Sequence, residues 1–282
     1  MQTIFIGDVQ GCADELAELL ERARATYPAG FEAWLVGDLV NRGPANLAVL
    51  RCVRALVDAG RARCVLGNHE IGLLMTAAGL RELRPLDSFG DVLGASDAAD
   101  WLEWLRHRPL LELGQLGRQR FAMVHAAVHP DWSLAELEPR VRRVEARLAA
   151  PDRREAIALL AADPARDADR DLLGRITQCR SVTGVDGWSS ELPGGALEAW
   201  HRRWSARGHD YCVVYGHWAL QGLHVAPQLR GLDTGCVHHG RGHDGTLTAW
   251  LPDPDAATPF DLPDGRFWHI PARRAYYANA KA

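Results

Sequence analysis

One local pattern occurs three times at the start of the chain, and it constrains the fold more than any other feature. Short apolar runs at residues 3–6, 33–36 and 63–66 each end in a glycine and a polar residue, and a segment with helical apolar spacing follows each run. A threefold succession of strand, tight turn and helix is typical of a parallel sheet with right-handed crossovers. We therefore predict an α/β fold.

The rest of the chain is less regular. Helical composition covers residues 98–106 and 134–160, and further strands are predicted at residues 109–113, 120–124, 211–215, 228–232, 246–251 and 267–270. The region 130–208 is predicted to be a helical, cap-like insertion over the sheet. We expect one domain that spans residues 1–282.

Composition excludes several functions. The chain has 32 Lys and Arg against 36 Asp and Glu, a net charge of −4, which argues against a broad surface for nucleic acid. Lys281 is the only lysine, so a P-loop lysine and a Schiff-base lysine are excluded from the folded body.

The sequence also predicts the compartment. No apolar run is long enough to span a membrane, since that requires about 20 residues. The six cysteines form no CxxC pair, which favours free buried thiols. We expect a cytoplasmic protein that does not contact a membrane.

Polar side chains follow the three predicted strands at the point where each strand ends. Asp8, Asp38 and the pair Asn68 and His69 come at intervals of 30 residues. The carboxyl ends of parallel strands meet at one edge of a sheet, so these groups should converge. His125 and His217 follow two later strands and are expected at the same edge. Converging carboxylates, amide oxygens and imidazoles suit a pair of divalent cations.

Three segments carry a resemblance to a known family. Residues 7–11, 37–44 and 67–70 resemble the signature boxes of the phosphoprotein-phosphatase-type metallophosphoesterases. Residues 98–111, 215–218 and 232–236 are similar to the symmetrical bis(5′-nucleosyl)-tetraphosphatase group within that family. The resemblance implies a calcineurin-like sandwich of two mixed β-sheets flanked by helices.

The resemblance also implies roles for individual residues. Asp38 is expected to bridge two metal ions, and the remaining ligands are expected to be Asp8, Gln10, Asn68, His125 and His217. Gln10 stands where the family usually has His, and its oxygen would be a weaker ligand.

Further residues are expected to act on the substrate. His69 would protonate the leaving oxygen, and Arg42 would hold the phosphate, with Arg180 as the best match for a second phosphate arginine. Asn41 stands where protein phosphatases have Asp; it can hydrogen-bond the His69 imidazole but cannot stabilise its cation. Trp218 is expected either to stack on a nucleobase or to pack beside the metals.

The expected activity is hydrolysis of diadenosine tetraphosphate to two ADP by a metal-bridging hydroxide, with Mn²⁺ or Co²⁺, or else Mg²⁺. Three alternatives stay open: a serine/threonine protein phosphatase, against which Asn41 counts; an enzyme that removes nucleoside-tetraphosphate caps from RNA 5′ ends; and a metal-poor nucleotide sensor. A Gly-rich segment contains His238, His239 and His243. We interpret these histidines as part of a surface turn; the alternative is that they bind a metal ion or hydrogen-bond a base. The sequence does not indicate an oligomeric state.

Overall fold

Two five-stranded mixed sheets packed face to face form the centre of the fold. The computed structural model describes residues 1–242, 244–261 and 266–276. The strands are β1 (Gln2–Ile6), β2 (Phe31–Leu35), β3 (Ala62–Cys64), β4 (Leu111–Leu116), β5 (Gln119–Val124), β6 (Ser181–Thr183), β7 (Gly187–Ser189), β8 (Glu198–Ala199), β9 (Tyr211–Tyr215), β10 (His224–Ala226), β11 (Leu229–Gly231), β12 (Thr246–Trp250) and β13 (Phe267–Pro271). The helices are α1 (Ala13–Thr26), α2 (Asn46–Asp58), α3 (Asn68–Ala77), α4 (Gly90–Leu93), α5 (Ala98–Arg106), α6 (Leu134–Leu148), α7 (Arg153–Ala161), α8 (Ala168–Gln178) and α9 (Trp200–Arg207).

The first sheet has the strand order β13-β12-β1-β2-β3. Strands β1, β2 and β3 run parallel, with Ile6 paired to Leu35 and Leu35 to Cys64. Helices α1 and α2 connect them, as the repeated pattern predicts. Strands β12 and β13 join in antiparallel orientation and make the sheet mixed.

The second sheet has the order β10-β11-β9-β5-β4. Strands β5, β9 and β11 are parallel to one another, while β4 pairs antiparallel with β5. The ends of β5 and β9 therefore point to one edge, where His125 and His217 follow. The α/β architecture with two mixed sheets is confirmed.

Aromatic side chains fill the space between the two sheets. Phe5 of the first sheet contacts Phe121 of the second, with ring centroids 5.3 Å apart, and it stacks on Trp250 at 5.2 Å. Trp34 also contacts Phe121, at 5.2 Å. This aromatic packing fixes how the two sheets face each other and so which strand ends come together.

The segment after β5 contains α6, α7 and α8, then a small sheet with the order β7-β6-β8, and then α9. The helices agree with the predicted helical composition. The small sheet was not predicted, because strands of two or three residues are too short to show an alternating pattern.

All six cysteines are free thiols, and five of them are buried, in agreement with the composition argument. Among the described helices, none has both the length and the apolar character required to cross a bilayer.

Candidate metal centre and phosphate cavity

The predicted metal-binding side chains converge where strands of both sheets end. Donor atoms of Asp38, His125 and His217 all lie within 4.8 Å of one another. Oδ1 of Asn68 lies 3.1 Å from Nε2 of His125 and 2.8 Å from Nδ1 of His217. The backbone N–H of His217 in turn donates to Asp8, at 3.1 Å from Oδ2. Five side chains from distant parts of the sequence thus meet at one place.

Both histidines are oriented by backbone carbonyls. Nδ1 of His125 lies 2.9 Å from the carbonyl oxygen of Val36, and Nε2 of His217 lies 3.0 Å from that of Gln178. When these nitrogens carry the proton and donate, the other nitrogen of each ring presents a lone pair to the centre. Burial, followed by the proximity of His125, lowers the pKa of His217 well below its usual value, so its ring is neutral.

Asp38 lies at the middle of the cluster, in a left-handed backbone conformation with φ of +48°. Burial opposes its ionisation, but His125 and His69 lower its pKa below the usual range. Its Oδ1 accepts the N–H of His69 at 2.9 Å. A Cβ at Gly67 would lie 2.1 Å from this Oδ1, so only glycine fits there.

Asp233, just beyond β11, adds a carboxylate that sequence reasoning did not select. It is 4 % exposed, and burial raises its pKa to about 6. Burial also raises the pKa of Asp8, and the charges of Asp233 and Asp38 raise it further. The signal for Asp233 was its place after a predicted strand, within residues 232–236. Three crowded carboxylates are the arrangement that a bound cation relieves.

The donor set fits two divalent ions. Asp8, Gln10 and Asp38 could hold one ion, and Gln10 is buried at the cavity wall with φ of +46°. Asp38 could also share a second ion with Asn68, His125 and His217. Mixed oxygen and nitrogen ligands of this kind suit borderline divalent transition ions.

Glu70 supports the centre without belonging to it, and sequence reasoning missed this role. Its Oε1 accepts the N–H groups of Leu39 and Val40, at 2.8 and 3.1 Å. Its Oε2 accepts those of Asp38 and Gly67, at 2.9 and 2.8 Å. One buried carboxylate therefore joins the ends of β2 and β3. The Gly-Asn-His-Glu order at the start of α3 was the available signal, since Glu at this position is typical of a capping box.

A cavity of about 560 Å³ opens over the centre, and Arg42, His69, Arg180 and Trp218 line it. Nη1 of Arg42 is buried and, within the described residues, has no hydrogen-bond partner. Arg180 donates to the carbonyl oxygens of Ser190 and His217, at 2.8 and 3.2 Å. Two guanidinium groups beside the candidate ligands, one with an unsatisfied Nη1, offer the kind of donors that could bind a phosphate-type anion.

His69 lies between the metal ligands and this cavity. Its Nε2 is 3.5 Å from Oδ2 of Asp38, and its side chain is 11 % exposed. Burial lowers its pKa, Asp38 opposes that shift, and Arg42 adds to it. The ring is therefore held neutral at a place from which it can reach a bound phosphate ester.

The side chain of Asn41 bonds to residues other than His69, although an Asn at this position can hydrogen-bond the imidazole. Nδ2 of Asn41 donates to Asp87 at 2.9 Å, and its Oδ1 accepts the N–H groups of Arg42 and Ser88, both at 2.9 Å. The Asp87 carboxylate, whose side chain is 1 % exposed, accepts the amide donor, and the Asn41 backbone is left-handed, with φ of +81°. Asp87 also lies 3.8 Å from Nη1 of Arg42, so Asn41 and Asp87 help to position the Arg42 side chain.

The remaining residues that the sequence singled out are Trp218 and three histidines near residue 240. Trp218 is 8 % exposed, and both it and His238 line the cavity. His239 is partly buried. His243 lies outside the described residues.

The calcineurin-like phosphoesterase family model matches residues 1–225, and the chain belongs to this family. Symmetrical bis(5′-nucleosyl)-tetraphosphatase of Janthinobacterium sp. (strain Marseille) is 40 % identical over 86 % of this chain and 91 % of the relative. The protein of the same name from Dechloromonas aromatica is 38 % identical over 85 % of this chain and 90 % of the relative.

Solved structures agree in fold. A structure described provisionally as a diadenosine tetraphosphatase has a TM-score of 0.59 at 23 % identity and covers 96 % of this chain and 93 % of its own. A serine/threonine phosphatase from Saccharomyces cerevisiae has a TM-score of 0.51 at 13 % identity, with coverage of 96 % and 79 %. At these identities the likeness concerns the fold alone.

Proposed function

We propose that this protein hydrolyses dinucleoside tetraphosphates symmetrically and converts diadenosine tetraphosphate to two ADP molecules. The observation that carries this proposal is a nitrogen and oxygen donor cluster below a cavity with two arginines, one of which has an unsatisfied Nη1. The names of the relatives support the substrate class. The Asn41 and Asp87 pair, which replaces a direct contact between residue 41 and His69, is a difference from the arrangement expected of a protein phosphatase.

The protein groups have distinct tasks in this proposal. Two divalent ions, Mn²⁺ or Co²⁺ and alternatively Mg²⁺, would be held by the ligand set above and would supply Lewis-acid and nucleophile-activating chemistry. Arg42 and Arg180 bind the phosphate oxygens and stabilise the charge that develops on them. The negative charge of a bound polyphosphate would favour the imidazolium form of His69, and in that form His69 donates a proton to the bridging oxygen that leaves with ADP and returns to the neutral ring.

Product analysis tests the proposal directly. The purified protein is incubated with diadenosine tetraphosphate and added Mn²⁺, Co²⁺ or Mg²⁺, and the products are separated by chromatography. We expect ADP as the only nucleotide product. ATP and AMP in equal amounts would show asymmetric cleavage, and turnover of phosphopeptides without turnover of the dinucleotide would support a protein phosphatase.

A further inference from the structure

A second cavity of about 930 Å³ adjoins the first, and Trp218 lines both. It lies between residues 193–199, the first turns of α9, the 3₁₀ helix Ala219–Gln221 and β10. Its volume is within the range of about 300–1,000 Å³ that small-molecule sites occupy. None of the residues proposed to bind metal or phosphate lines this second cavity.

The lining of this second cavity differs from that of the first. Its inner groups are aromatic or uncharged: the rings of Trp218 and His201 lie 5.8 Å apart, and those of His201 and His224 lie 4.5 Å apart. Its charged groups, Glu198 and Arg202, are exposed at the mouth. A neutral aromatic cavity does not suit a phosphate, but it does suit a nucleobase.

A hydrogen-bonded chain determines which polar group faces this cavity. The Tyr215 hydroxyl donates to Oε1 of Gln221 at 2.9 Å and accepts from Nδ1 of His224 at 2.6 Å. The Gln221 amide N–H then donates to Nε2 of His201, also at 2.9 Å. The proton of the neutral His201 ring is therefore on Nδ1, which makes no hydrogen bond to any other described residue. Burial and the nearby His224 lower the pKa of His201 to about 4, which keeps the ring uncharged. One N–H donor next to an indole is suited to a base with ring-nitrogen acceptors.

We propose that this second cavity binds the nucleobase and ribose of one arm of the dinucleotide, while the tetraphosphate lies in the first cavity. The inference rests on the proposed function. Trp218 directly follows the candidate ligand His217, so a phosphate chain that leaves the metal centre along this wall reaches the second cavity. Trp218 would stack on the base, and Nδ1 of His201 would donate to it.

Two variants test the site at positions away from the metal ligands. Ser205→Trp places an indole in the second cavity from an exposed position of α9, and Ser205→Ala is its matched control. His201→Ala removes the donor, and the exposed His107→Ala is the matched control. KM and kcat are measured with diadenosine tetraphosphate and with p-nitrophenyl phosphate, and binding of adenosine is measured by saturation-transfer NMR.

We expect Ser205→Trp and His201→Ala to raise the KM for the dinucleotide on the order of tenfold, the usual scale for loss of one base contact. Their kinetics with p-nitrophenyl phosphate should stay unchanged, and Ser205→Trp should abolish the adenosine signal. Wild-type KM and an undiminished adenosine signal in Ser205→Trp would overturn the inference and leave the proposed function intact. If the wild type releases no ADP from the dinucleotide, the proposed function fails, and the NMR comparison still decides whether the cavity binds a nucleoside.

Discussion

At the scale of single residues, two histidines close to Asp38 differ in their hydrogen bonds and therefore in their expected chemistry. His125 is fully buried, and a carbonyl oxygen engages its Nδ1. Both rings approach Asp38 through Nε2, at 3.4 Å for His125 and 3.5 Å for His69, but His69 is partly exposed to the cavity. We expect His125 to act as a ligand, because its orientation is restricted, and His69 to move a proton.

His69→Ala should lower turnover of the dinucleotide by roughly 10²–10⁴-fold, the usual contribution of a positioned proton donor. The loss should be smaller for p-nitrophenyl phosphate, because its leaving oxygen is a weak base. Metal content, measured by mass spectrometry, should stay near that of the wild type. Equal losses on both substrates, together with lost metal, would instead make His69 a structural residue.

His201 should make the protein sensitive to mild acid. Its folded pKa of about 4 lies below the value of about 6.5 for an exposed histidine, so the unfolded chain binds more protons as the pH falls. Its contribution to stability is present above pH 6.5 and is lost as the pH decreases toward 4. Urea denaturation should show that the free energy of unfolding falls between pH 7 and pH 5, and that this fall is about 1 kcal/mol smaller in His201→Asn than in the wild type. The figure allows for the partial exposure of the His201 ring. Parallel losses in the two proteins would contradict this assignment.

At the scale of elements, the start of α3 organises the centre. Asn68 begins the helix, and Glu70 in its first turn accepts four backbone N–H groups from the ends of β2 and β3. Burial and the charge of Asp38 raise the pKa of Glu70 to about 7, and the backbone N–H donors and the helix N-terminus offset part of this cost. The helix therefore provides a ligand and also holds the loop that carries Asp38.

Glu70→Gln should destabilise the protein, since an amide has one oxygen for four donors and its NH₂ group, in place of either carboxylate oxygen, faces two of them. We expect the free energy of unfolding to fall by about 2–3 kcal/mol, the cost of leaving buried donors without partners. Glu21→Gln, at an exposed position of α1, is the control and should change the free energy of unfolding little. If both variants unfold at the same urea concentration as the wild type, Glu70 does not hold the loop.

At the scale of the whole molecule, the candidate metal centre joins the two sheets. Asp8 and Asp38 follow strands of the first sheet, whereas His125 and His217 follow strands of the second. Ions bound by all four side chains would link the sheets at this edge and would bind only the folded state.

Removal of metal should therefore lower the melting temperature. Metal at a hundredfold excess over its Kd stabilises a protein by about 2.7 kcal/mol. Chelation with EDTA should therefore lower the melting temperature measurably, and added Mn²⁺ should restore it. Asp38→Asn should lose most of the bound metal, the activity and the change of melting temperature on chelation. Asp58→Asn, an exposed substitution on α2, is the control and should keep the metal, the activity and the change of melting temperature. Two tightly bound ions and full turnover in Asp38→Asn would refute the shared role of Asp38.

The amino-acid sequence by itself determined the first three strands with the helices that follow them, and the convergence of Asp8, Asp38 and Asn68 at one edge of the first sheet. Periodicity is a local property, and the carboxyl ends of parallel strands meet at one edge, so these features follow without knowledge of packing.

Only the tertiary structure decided the partners of those residues. Asn41 bonds to Asp87 across 46 residues of sequence, and Glu70 reaches Leu39 across 31. The second cavity likewise forms between α9 and segments that lie before and after it in the chain. Such contacts depend on how sheets and helices pack, because a buried polar group bonds to whichever partner the packing brings close, and no local pattern specifies that partner.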